Sequence, residues 1–137
     1  PPPPPHFFFH PDAVIADSVA SRGLGDVYKR QPEKAAQGLS EAGADIVGTN
    51  CGNGIDNMLE ITQRMRQSTN KPLLVHSNAG IPGMEKGEII YPESPEFMAE
   101  RFMKLKDVGA NIIGGCCGTS PDHIKALCKA LNKMREG

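Results

Sequence analysis

Apolar positions fall into a regular alternation of helical and strand patterns from Pro32 onward. Residues 32–42 read as a helix, and residues 53–67 as a second one. The second carries Ile55, Met58, Leu59, Thr62 and Met65 along one face, the spacing of a buried stripe. Short apolar runs between the helices read as strands. One spans 45–49. Another spans 73–77, starting after Pro72, and its Leu73-Leu74-Val75 is apolar on both faces, as in a parallel sheet covered by helices. A third passes through Ile112 and Ile113. Ser94-Pro95-Glu96 and Ser120-Pro121-Asp122 each open a further helix. In both, serine can cap, proline suits the first turn, and the acid complements the positive end of the helix dipole. The last helix is expected to bury Ile124, Leu127, Cys128, Leu131 and Met134. The predicted order is α-β-α-β-α-β-α with right-handed crossovers, an α/β fold class.

Ten residues occur twice. Gly43-Ala44-Asp45-Ile46-Val47-Gly48-Thr49-Asn50-Cys51-Gly52 returns as Gly109-Ala110-Asn111-Ile112-Ile113-Gly114-Gly115-Cys116-Cys117-Gly118. Each copy is a strand running into glycine and cysteine before a helix. In α/β folds the loops after the strands share one edge, where ligands are met. Here those loops are Thr49–Asn53, Asn78–Pro92 and Gly114–Ser120. Cys51, Cys116 and Cys117 are therefore expected to converge, while Cys128 sits in the last helix as a small apolar residue. Flanking glycines let both adjacent thiols turn toward one ion. Three thiolates with an open fourth position match a catalytic zinc site better than a closed structural one.

Three strands make neither a closed barrel nor a comfortable doubly wound sheet, and a (β/α)₈ barrel usually takes ~250 residues. Regular units at one end and foreign-looking sequence at the other suggest the C-terminal part, the last three β/α units, of such a barrel. Residues 1–31 show no sustained period. Their stretch from Ala16 to Gln31 resembles a translated sequencing adapter, so 1–31 is set aside as non-native or disordered and 32–137 taken as the partial barrel domain. The alternative for 1–31 is a Pro-rich linker with a partner-binding role.

Composition narrows the function classes. The chain has 137 residues, enough for one domain, with 16 acidic against 15 basic side chains. That balance gives no strong attraction to nucleic acid or membrane. No apolar run approaches the ~20 residues of a membrane span. Four cysteines are too few for a secreted disulfide scaffold, and a reducing cytoplasm that keeps thiols free fits best.

The runs 43–52, Asn78-Ala79-Gly80-Ile81-Pro82, and Gly114-Gly115-Cys116-Cys117-Gly118-Thr119-Ser120-Pro121-Asp122-His123-Ile124 resemble the homocysteine S-methyltransferase family. The resemblance covers essentially 32–137. It implies zinc held by Cys51, Cys116 and Cys117 in a (β/α)₈ barrel, homocysteine as the small-molecule substrate, and methyl transfer to it to form methionine. The methyl donor stays open among methyltetrahydrofolate through cobalamin, betaine and S-methylmethionine, and so does the oligomeric state. The family's amino-acid-binding contacts come largely from strands that this chain lacks. The competing reading is a noncatalytic zinc-binding or thiol redox-sensing module.

Among the other side chains, Asn78 either contacts substrate, fills the fourth zinc position, or shapes the turn before Ala79-Gly80. His76 is expected to pack or hydrogen-bond within its strand. His123 is expected to support the loop that enters the last helix, and Tyr91 to pack with a polar tip.

Overall fold

A computed structural model describes residues 32–137, and expectations for 1–31 lie outside the described residues. The elements in order are α1 (Pro32–Glu41), β1 (Val47–Cys51), α2 (Ile55–Arg66), β2 (Leu73–Ser77), β3 (Gly83–Glu85), β4 (Glu88–Ile90), α3 (Pro95–Asp107), β5 (Ile112–Gly115) and α4 (Pro121–Glu136). Strands β1, β2 and β5 form a parallel sheet in that spatial order. The register runs Val47↔Leu73 through Cys51↔Ser77 on one side of β2, and Leu74↔Ile112 through Ser77↔Gly115 on the other. Strand order thus follows chain order, as successive β/α units require.

The first strand lies two residues later than the expected 45–49. Pairing with β2 sets its limits, and Ile46, outside the ladder, is 44% exposed. The segment after β2 also holds a hairpin where only a loop was expected. Strands β3 and β4 pair antiparallel, and Lys86 and Gly87 turn between them with φ of 50° and 83°. Two central residues with positive φ are the mark of a type I′ turn, whose twist suits a hairpin. Three-residue strands are too short to show a period of two, and all six of their residues are exposed.

Helices cover one face of the sheet. Ile55, Met58, Val75, Met98, Phe102, Leu105 and Leu127 form one buried cluster, and Ala36, Val47, Met65 and Leu73 form another. The expected stripe of α2 is buried at Ile55, Met58, Thr62 and Met65, with Leu59 packed partly buried beside it. Because side chains alternate along a strand, the opposite face carries Gly48, Leu74 and Ile112 in one row and Asn50, His76 and Gly114 in the next.

The last helix departs from its expected face. Leu127 is buried and Leu131 packs against the core, but Ile124, Cys128 and Met134 are exposed. α4 packs mainly on α3, with a smaller contact to β5, and the side that presents 124 and 128 is left largely exposed among the described residues. Ser94 caps α3 as expected, its hydroxyl accepting from the Phe97 N–H at 3.2 Å.

The duplicated decapeptide is also a duplicated backbone. Gly43 and Gly109 have φ of 95° and 112°, and Gly52 and Gly118 have φ of 73° and 77°. Each copy therefore enters and leaves its strand through left-handed turns that favour glycine. At the exits space is as tight as dihedral. A Cβ on Gly118 would run into the Tyr91 ring, and one on Gly52 into the Met58 sulfur at 2.7 Å.

Candidate metal centre

The two exits bring sulfur together. Cys51 ends β1, and Cys116 and Cys117 follow β5 directly. Their sulfurs all lie within 4.8 Å of one another, with 2.8 Å between Cys51 Sγ and Cys116 Sγ and 3.9 Å between Cys116 Sγ and Cys117 Sγ. Cys128 is not among them. Cys51 and Cys116 are 65 residues apart in sequence, so the sheet creates the meeting. Cys51 also has a left-handed backbone, φ 67°, unusual for a residue with a side chain. Such strain tends to collect at functional sites.

Strand β2 runs between the two cysteine strands, and the backbone just after it ties their loops. The Asn78 N–H donates to Cys51 O at 3.3 Å, the Cys116 N–H to Ser77 O at 2.8 Å, and the Ala79 N–H to Cys117 O at 2.9 Å. Three consecutive residues, Ser77, Asn78 and Ala79, thus carry hydrogen bonds to all three cysteines.

The Asn78 side chain has a defined task here. It is buried, and its Oδ1 accepts from the Gly54 N–H at 3.0 Å. That satisfies the amide of the N-cap residue of α2 from a different loop. The Glu93 carboxylate takes the next one, accepting from the Ile55 N–H at 3.2 Å. Neither Glu93 nor this capping from a distance was anticipated from sequence.

His123 supports the loop, as expected. The Ser120 N–H donates to His123 Nδ1 at 3.0 Å, which places the ring proton on Nε2 for donation to Glu93 O at 2.9 Å. The His76 ring lies over Gly114, where a Cβ would approach it to 2.8 Å, so it packs rather than joining the sulfurs. Tyr91 packs on the core with its ring against Gly118, next to the cysteine pair.

The thiols are unequal. Burial, reinforced by the neighbouring Cys116 and Cys117 sulfurs, pushes the Cys51 thiol up to about 12. Burial pushes Cys116 the same way, but hydrogen bonds from the Cys51 thiol, the Cys117 backbone and thiol, and Asn50 outweigh it and hold Cys116 below the usual thiol value. Asn50 Nδ2 also donates to Cys51 Sγ at 3.4 Å. Cys51 is thus the harder and Cys116 the easier of the two to ionise.

The donor set fits a soft divalent metal. Tetrahedral zinc with bonds of ~2.3 Å separates its sulfurs by roughly 3.8 Å. The Cys116–Cys117 distance already matches, and Cys51 would need to withdraw by about an ångström from Cys116. Cys51 and Cys116 are half-buried and Cys117 is exposed, which leaves one side of the cluster open to a fourth ligand.

A parallel sheet covered by helices, with three cysteines gathered at its C-terminal edge, makes this an α/β protein with a candidate metal centre. Residues 13–131 match the model of the homocysteine S-methyltransferase family, and the chain belongs to that family. The matched span begins within the N-terminal segment set aside above. Among curated relatives, the chain is 32% identical over 104 residues to a methionine synthase of Mycobacterium leprae, and 30% identical over 102 residues to one of Mycobacterium tuberculosis. These alignments cover 75% and 74% of the chain but 9% of either relative's length.

Proposed function

We propose that 32–137 forms the last three β/α units of a (β/α)₈ barrel in which Cys51, Cys116 and Cys117 hold zinc and homocysteine accepts a methyl group to become methionine. The observation that carries this reading is the convergence of three sulfurs from two loops at one sheet edge. The strand order β1-β2-β5 is the order that successive barrel strands take, and the sheet face opposite the helices would line the barrel interior. Family membership supplies the substrate class, and the relatives' printed name, methionine synthase, supplies the product.

Zinc would hold the substrate thiol as the thiolate that attacks a methyl carbon, which a free thiol near pKa ~8.5 mostly is not at neutral pH. The chain's residues set the conditions for that. Three cysteine thiolates bring a charge that outweighs the metal's, which keeps electron density on a fourth sulfur. The Ser77–Ala79 backbone holds the cysteine carbonyls and amides in place. Asn78, through its bond to Gly54, fixes the start of α2 and is the residue we assign to substrate contact. The methyl donor stays open among methyltetrahydrofolate through cobalamin, betaine and S-methylmethionine.

Zinc content and homocysteine-dependent methionine formation test the proposal in the protein that carries this chain. Cys116→Ala and Cys117→Ala should each lose zinc and turnover, whereas Cys128→Ala, on the exposed side of α4, should keep both. Its stability should change by less than about 0.5 kcal/mol. Equal zinc in all three variants, or full turnover without Cys117, overturns the reading. Zinc bound by all three thiols without methyl transfer to any donor supports a noncatalytic module instead.

A further inference from the structure

Glu93 lies on neither cysteine loop, yet it is bonded toward both. Its carboxylate accepts from the Ile55 N–H, at the start of the helix that follows Cys51. Its own N–H donates to Ala79 O at 3.0 Å, and the Ala79 N–H donates to Cys117 O. Its carbonyl accepts from His123 Nε2, and His123 is bonded in turn to Ser120, at the end of the Cys116–Cys117 loop. The fit is close. A Cβ on Gly54 would collide with the Glu93 carboxylate, and one on Gly80 would meet Glu93 Cγ at 3.1 Å.

We propose that Glu93 is a positioning residue for the sulfur cluster, clamping the start of α2 against the β5–α4 loop so that Cys51 is held within bonding range of the metal shared with Cys116 and Cys117. The inference rests on the metal-centre reading above. Only one arm of the clamp is a side chain of Glu93, and that arm governs Cys51. The spacing of Cys116 and Cys117 is set within their own loop and by bonds to Ser77 and Ala79. Loss of the carboxylate should therefore free one sulfur and leave two. The carboxylate acts as an acceptor, so an amide of the same shape should replace it.

The experiment uses the full chain loaded with Co²⁺, whose thiolate-to-metal charge-transfer band reports the number of bound sulfurs, with Zn²⁺ affinity measured by chelator competition. Glu93→Ala should weaken Zn²⁺ binding by about 10- to 100-fold, the usual cost of losing a partner that orients metal ligands. Its cobalt band should fall by one sulfur's share. Glu93→Gln should restore both. His123→Ala, which cuts the second arm, should weaken binding in the same direction and carries the test if Glu93→Ala is insoluble. Glu33→Ala is the control, because it removes the 2.6 Å ion pair to Arg64 between α1 and α2, away from the sulfurs. It should lower thermal stability and leave the cobalt band unchanged. Parent-like affinity and spectrum in Glu93→Ala, or affinity losses that merely track stability as in Glu33→Ala, overturn the positioning role alone. A parent chain that takes up neither metal overturns the metal centre and, with it, this role.

Discussion

Burial pushes the Glu93 carboxyl above its ordinary value of 4.5, with the Ile55 amide opposing and the Asp56 charge adding. A carboxyl whose folded pKa is raised stabilises the fold fully below its unfolded pKa, and loses that contribution as pH climbs through the folded value. Ionised Glu93 is thus a net cost near neutrality. Glu93→Gln should melt at an equal or higher temperature than the parent at pH 7, and that difference should shrink toward pH 4. A variant clearly less stable at pH 7 would contradict the direction of the shift. The cysteines were legible in the sequence because thiols at strand ends among glycines carry a pattern. Glu93 was not. Its partner Ile55 is 38 residues away, and a lone acid just before the Ser94-Pro95 cap carries no pattern of its own. Asn78 was noticed for its place in a turn, but its bond to Gly54 depends on two loops meeting.

Among the elements, helix assignments followed the periodic stripes, and β2 was placed correctly because Pro72 marks its start. The limits of β1 escaped because a ladder, not apolarity, ends a strand in a parallel sheet. The hairpin escaped because its strands are shorter than any readable period. The exposed side of α4 escaped because periodicity shows which face is apolar, not how much of it finds a neighbour. At the opposite end of the sheet from the sulfurs, Arg66 joins elements by its guanidinium. It donates to Gly109 O and Asn111 Oδ1 at 3.3 Å, to Lys71 O at 2.7 Å, and to Thr69 O. It thereby ties the end of α2 to the turns that enter β2 and β5. Arg66→Ala should cost about 1.5–3 kcal/mol, the range for hydrogen bonds to a charged group, read as a lower denaturant midpoint at unchanged slope. Because those bonds lie away from the cysteines, zinc affinity measured below the unfolding midpoint should be retained.

At the scale of the molecule, alternation of helix and strand was enough to give the parallel sheet and its order, whereas closure of a barrel depends on strands that the described residues do not contain. Among those residues, β1 and β5 each have only one neighbour. Ile112, on β5, is 40% exposed and shares its row with Leu74. Unpaired strands with apolar side chains invite edge-to-edge association. Ile112→Lys should reduce self-association in light scattering while leaving the helical circular dichroism intact. An unchanged association state would point to another surface. The sulfurs have a further consequence at this scale. They join the two outer strands across the middle one, through a contact that spans 65 residues. The cluster can assemble only after the whole sheet has been ordered, so the unfolded chain offers zinc no comparable site. If the sulfurs hold zinc as proposed, mass action couples folding to metal supply, with free zinc at a hundred times its dissociation constant adding about 2.7 kcal/mol. The unfolding temperature of this chain should therefore rise steadily with free zinc, which would make its folded fraction a readout of how much metal its surroundings can spare.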